Sequence, residues 1–159
     1  MARVLVAYAS KRGSTAEIAS WIADALRTEG HQVDLASVTS VTDARGYDAI
    51  ILGGALYNRR WPLKGRFFTR RHRATLQATT VWLFSSGPLD PVTEDIAATP
   101  AVARIAERVG AAGHITFGGR LAPDATGFPA SAMAKRMAGD HRDPERVRAW
   151  AKTIASQLG

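Results

Sequence analysis

VLVAYASKRGSTAEIASWIADAL, Val4 to Leu26, runs from an apolar strand-like segment into a helical pattern through six polar or small positions, Ser10 to Thr15. The first part, VLVA, predicts a buried strand. The last part carries Ile18, Trp21, Ile22, Ala25 and Leu26 at helical spacing, and Gly30 marks the stop. Ser14 and Glu17 spell an S-x-x-E capping box, which predicts that the helix begins there. A cap uses only Ser14, and the segment holds far more donors than that. A helix N-terminus offers unpaired backbone N–H groups and the positive end of the helix dipole, both favourable for phosphate. Ser10, Ser14 and Thr15 add hydroxyls, Gly13 lets backbone approach closely, and Lys11 and Arg12 add positive charge. The stretch reads as an anion cradle for a phosphate.

Working outward, the 159 residues fit a single domain, 1–159, with no repeat or low-complexity linker. Further strands are expected at HQVDLASV (31–38), YDAIILGG (47–54), TTVWLFSS (79–86) and HITFGGRL (114–121), with HQVDLASV nearer the sheet edge. Helices are expected at about 63–77, 99–112 and 144–158. Strands alternating with helices imply right-handed crossovers and a parallel sheet covered on both faces. In such sheets ligands sit outside the carboxyl ends of the strands, which points to loops 10–15, 54–62 and 86–92.

The composition excludes several chemistries. Without cysteine there are no disulfides, thiolate nucleophiles, iron–sulfur clusters or cysteine zinc sites. His31, His72, His114 and His141 form no i, i+4 pair, and no Ser/His/Asp constellation stands out. His114 opens a strand and reads as structural. A hydrophobic fraction of 46%, no signal-peptide pattern and no run long enough to span a bilayer predict a cytoplasmic protein. The formal charge of +7 is uneven: between Asp48 and Asp90 there is no acid, only Arg59, Arg60, Lys64, Arg66, Arg70, Arg71 and Arg73. Such a run attracts anions or forms a solvated basic helix face. Nucleic acid ranks last among partners, because LKGRFFTRRHRATL carries no recognition motif.

Rival α/β ligands fail at the first loop. Neither G-x-G-x-x-G nor G-x-x-x-x-G-K-[ST] is present, and the acidic residues of a phosphotransfer receiver are missing from YASKRGS and ILGGALY. The loop instead resembles the S/T-x-x-G-x-T phosphate signature of the flavodoxin superfamily, and the resemblance covers essentially the whole chain. It implies an α/β, flavodoxin-like three-layer sandwich with a five-stranded parallel sheet in the order 2-1-3-4-5. Within the superfamily, VLVAYASKRGSTAEIASWIADAL, YDAIILGGALYNRRW, FGGRL and AMAKRMAGDHRD are similar to the menaquinone-dependent protoporphyrinogen dehydrogenase branch and its actinobacterial flavodoxin-domain relatives. Two features depart from that branch: APDATGFPASAMAKRM is short and mild, and Pro144 follows the RD pair where an aromatic is common.

The resemblance implies FMN as cofactor, its phosphate held by Ser10, Lys11, Arg12, Gly13, Ser14 and Thr15. Ala55, Leu56, Tyr57, Asn58 and Trp61 would flank the ring, with Tyr57 and Trp61 as stacking aromatics or as plugs against the neighbouring helix. Ser85, Ser86, Gly87, Pro88 and Leu89 would reach its polar edge through backbone groups. The implied activity is that of an FMN-dependent oxidoreductase moving hydride or electrons between flavin and an acidic or quinone-type substrate; no side chain is singled out as catalytic. The alternative is an electron-transfer protein serving a redox partner. A deazaflavin, coenzyme F420, would also suit Lys11, Arg12, Arg59 and Arg60. The basic surface adds peripheral contact with an anionic membrane to the expected partners.

Overall fold

Strands whose residues are apolar on both faces belong inside a parallel sheet, and the central strands of this chain are of that kind. The structure, a computed structural model, describes residues 1–10, 13–87, 97–118, 120–121, 139–140 and 142–158. The elements run β1 (Arg3–Ala9), α1 (Ser14–Thr28), β2 (Gln32–Ser37), a short 3-10 turn (Val38–Ser40), β3 (Ala49–Ala55), α2 (Leu63–Arg71), α3 (Arg73–Gln77), β4 (Thr80–Ser86), α4 (Pro100–Val109) and β5 (Gly113–Phe117). They close with β6 (Arg120–Leu121), β7 (Gly139–Asp140) and α5 (Pro144–Gln157).

The main sheet is parallel with the order β2-β1-β3-β4-β5, the doubly wound order expected. Every residue of β3 is buried. Val4, Val6, Ile51, Phe84 and Phe117 face α1 and α5, meeting Ile18, Ile22, Leu26, Val147 and Ile154. Leu5, Ala7, Ile50, Leu52 and Leu83 face the other way, onto Phe68, Leu76, Val102, Ile105 and Val109. Alternation of period two thus supplies both cores from one sheet.

Three local expectations are corrected. The helix expected at 63–77 divides at His72 (φ −103, ψ 21), whose ring packs on Phe68 at a centroid distance of 4.5 Å. The strand expected at 114–121 ends at Phe117; Arg120–Leu121 pairs instead, antiparallel, with Gly139–Asp140. The Ser14–Glu17 capping box does not form, for reasons given below. At the other end of the chain, Asp143 caps α5 by accepting from the backbone N–H groups of Glu145 and Arg146 (3.1 and 3.2 Å), and Pro144 takes the first helical turn.

Two successive glycines precede Ala55, the last residue of β3. A Cβ on Gly53 would lie 2.0 Å from Phe84 Cζ, and one on Gly54 2.5 Å from Trp61 Cγ. Each aromatic is buried and lies against the bare backbone on its own side of the strand. Gly53→Ala is therefore expected to lower stability by about 1–3 kcal/mol or more through overpacking, read as a lower urea midpoint.

Candidate functional site

The carboxyl ends of β1, β3 and β4 are level, with Ala9 opposite Gly54, Gly54 opposite Ser85, and Ala55 opposite Ser86. The loops that leave these ends therefore share one edge. Ser10, Gly13, Ser14 and Thr15 leave β1, Ala55 to Asn58 leave β3, and Ser86 and Gly87 leave β4. Lys11, Arg12, Pro88 and Leu89 lie outside the described residues.

Gly13, not Ser14, is the N-cap of α1, so Ser14 is already helical and the S-x-x-E register is one residue late. Glu17 turns its carboxylate to Arg142 instead, with Oε2 and Nη1 2.9 Å apart. The Arg142 side chain is only 7% exposed and lies 5.0 Å from the Trp21 ring centroid. A guanidinium taken that far out of water needs a carboxylate, and that requirement outweighs a second cap bond. The helix end keeps its donors. Thr15 is fully buried, and its Oγ1 has no hydrogen-bond partner among the described residues. Gly13 has φ −54, open to any residue, and among the described residues a Cβ there would meet nothing within 4 Å. Neither backbone nor packing demands the glycine, which leaves space for a ligand beside an orphaned hydroxyl. These residues fit a phosphate.

The loop after β3 is a tight turn. Tyr57 and Arg60 exchange both backbone hydrogen bonds (2.8 and 3.0 Å), with Asn58 (φ 49) and Arg59 (φ 65) left-handed between them. Two positive φ values in a two-residue loop make a type I′ turn. Before it, the Leu56 N–H reaches the Ser86 carbonyl at 2.9 Å and extends the ladder by one bond. After it, the Thr99 hydroxyl donates to the Arg59 carbonyl (2.8 Å) while its oxygen accepts the Val102 N–H (3.4 Å) and caps α4. Gly87, at φ +111, donates to the Phe117 carbonyl at 2.9 Å and so steers the chain out of β4.

Of the two readings of Trp61, stacking aromatic or plug against the neighbouring helix, its burial matches the plug. It is 1% exposed and fills the space over Gly54 and Gly65. Its indole N–H donates to Ser85 Oγ at 3.0 Å, and Ser85 Oγ lies 3.1 Å from His114 Nε2. An indole nitrogen only donates, so the serine oxygen accepts from it, while the direction of the Ser85–His114 hydrogen bond follows the His114 tautomer. Burial keeps the ring neutral, pushing His114 down to about 4. The sequence offered a hint of the plug in Gly53, Gly54 and Gly65, since glycine inside a strand marks close approach. Tyr57 remains half-buried at the edge, next to exposed Asn58, Arg59 and Arg60. Among the described residues, no group of three or more His, Asp or Glu could hold a metal, and no helix is long and apolar enough to cross a membrane.

Two measurements address this architecture. Thr99→Ala removes both a cap and the anchor of the turn, and should cost about 1–2 kcal/mol in a denaturant titration. The unfolded chain binds a proton at His114 near 6.5 and the folded chain only near 4, so this group's contribution is full above 6.5 and is lost as pH falls towards 4. In His114→Gln, the drop in urea midpoint between neutral pH and the middle of that window should be smaller than in the parent protein.

A family model described as Flavodoxin domain matches residues 5–144. No curated protein matches the sequence. Among solved structures, the rubredoxin:oxygen oxidoreductase of Desulfovibrio gigas is 17% identical with a TM-score of 0.67, the match covering 98% of this chain but 36% of that one. A short-chain flavodoxin associated with a non-canonical PDU bacterial microcompartment is 15% identical, with all of both chains covered and a TM-score of 0.66. Flavodoxin 2 of Bacillus cereus is 23% identical over 98% of this chain and 99% of its own, with a TM-score of 0.62. At these identities the likeness is one of fold. The family match is separate and spans most of the sequence: this chain belongs to the flavodoxin domain family.

Proposed function

We propose that the protein is an FMN-binding oxidoreductase of the menaquinone-dependent protoporphyrinogen dehydrogenase kind. It exchanges hydride or electrons between its flavin and an acidic or quinone-type substrate. The observation that carries the flavin is the buried, unpartnered Thr15 hydroxyl at the start of α1, beside the open space over Gly13. In a family named for its flavodoxin domain, that is a seat for the FMN phosphate. Ser10, Gly13, Ser14 and Thr15 would hold it, with Lys11 and Arg12 supplying charge from the same loop.

Bound flavin supplies the redox chemistry, and the chain's task is to bind, orient and exclude water. The Leu56–Ser86 bond and the Tyr57–Arg60 turn fix one wall, and Gly87 the next. His114 is held neutral by burial and tied to Ser85 by a hydrogen bond, which gives it a structural role. The subtype rests on AMAKRMAGDHRD and FGGRL and on the basic charge, which suits a substrate bearing carboxylates. The exposed Arg59 and Arg60 also favour a more acidic cofactor, a deazaflavin, as the second reading.

The absorption spectrum of the purified protein separates flavin from deazaflavin, whose band lies at shorter wavelength. Thr15→Val tests the seat by two opposite signs. Removing an unsatisfied buried hydroxyl should leave the free protein as stable or about 1 kcal/mol more so, while FMN affinity falls about tenfold. Equal losses in both would mean that Thr15 is a packing residue. Anaerobic oxidation of protoporphyrinogen with a quinone acceptor tests the subtype. FMN-loaded protein that performs no turnover, yet exchanges single electrons rapidly with a reductase, would be an electron carrier.

A further inference from the structure

The solvent face of α2 is an apolar ridge between two basic flanks. At about 100° per residue, Leu63 and Phe67 fall side by side, opposite the buried Gly65, Phe68 and Thr69. The same geometry puts Arg66 and Arg70 on one flank and Lys64 and Arg71 on the other. Leu63 is 69% exposed and Phe67 61%; besides Met1, they are the large apolar residues most open to water among the described residues. Beside them runs an apolar groove of about 490 Å³, walled by Val38, Val41, Phe67 and Phe68 with Arg71 at its margin. Arg59, Arg60 and Arg73 add to the positive charge of a sequence stretch without acids between Asp48 and Asp90, while Asp43, paired with Arg45 at 2.9 Å, acts on His72 at the groove.

The charge pattern selects the occupant. A second copy of this chain would bring the same cations against these and be repelled. A folded partner would need to offer a pocket for two side chains that project outward. A lipid surface needs no pocket: leucine and phenylalanine enter the boundary between headgroups and acyl chains, while long cationic side chains spread sideways onto phosphates. Anionic lipid supplies the opposite charge to both flanks. We propose that α2 docks this protein onto an anionic membrane surface through Leu63 and Phe67, with Lys64, Arg70 and Arg71 on the lipid phosphates. The docked face begins at the residue where α2 starts, just after the Tyr57–Arg60 turn, and so lies beside the edge that carries the candidate site. Nothing in this inference requires a bound cofactor.

The test is co-sedimentation of the full chain with vesicles of phosphatidylglycerol and phosphatidylcholine, against phosphatidylcholine alone. Binding is expected only to the anionic vesicles. The pairs L63S/F67S and K64E/R71E should each weaken it about tenfold or more, and raising salt from about 0.05 M to about 0.5 M should release the protein. All four side chains are exposed, and unchanged urea midpoints would show that the variants fold. F67W gives a second readout that leaves the ridge in place: its fluorescence should be quenched by brominated acyl chains. Failure to bind anionic vesicles at low salt overturns the proposal. So does binding that L63S/F67S leaves intact, or an F67W signal that brominated lipid does not quench. Binding to polyglutamate without binding to vesicles would also overturn it and assign the face to an acidic protein.

Discussion

The two missing side chains at the end of β3 hold both halves of this fold to the edge where the candidate site sits. Gly53 admits the Phe84 ring on one face, and Gly54 admits the Trp61 indole on the other. From Phe84 the contact passes to Phe117 and Trp150, whose ring centroids lie 5.7 to 6.3 Å apart in mostly edge-on arrangements, and so to α5. From Trp61 it passes through Ser85 to His114 on β5, and through Gly65 to α2. Aromatic pairs of this kind contribute beyond their buried area. Here they also fix the level at which β3, β4 and β5 end, and hence where the loops start.

The sheet was legible because its evidence is local. Runs such as AIILGGA and VWLFSS are apolar on both faces over about the length of one strand, and only the inside of a parallel sheet accommodates that. What sequence reading missed depended on partners far along the chain. The capping box at Ser14 was displaced because Glu17 answers to Arg142, more than a hundred residues away. Arg120 and Leu121 left the last strand to pair with residues 139–140, a choice with no periodicity to betray it. His72 breaks a helical pattern through its packing on Phe68, not through any residue that dislikes helices.

The candidate site was legible in part. Its loops follow from topology, and the donors at Ser10 to Thr15 are visible as a cluster. The standing of each donor is not: Thr15 is the one whose hydroxyl is buried without a partner, and an isolated string of letters does not separate it from Ser14. Trp61 was ambiguous because an aromatic beside a ligand loop can face either the ligand or the core. The glycines on the neighbouring strand and helix decide for the core.

The turn at Tyr57–Arg60 has a thermodynamic consequence. Two non-glycine residues are held left-handed, and the Arg59 carbonyl is tied to the helix that begins at Thr99. A segment already confined this way loses little further freedom when something settles beside it, so the ordering penalty that a loose loop imposes on association is small here. The order is kept by α4, an element that need not touch the ligand. Loosening the first turn of that helix would therefore reach the ligand as lost preorganisation, a coupling through the entropy of the wall and not through its contacts.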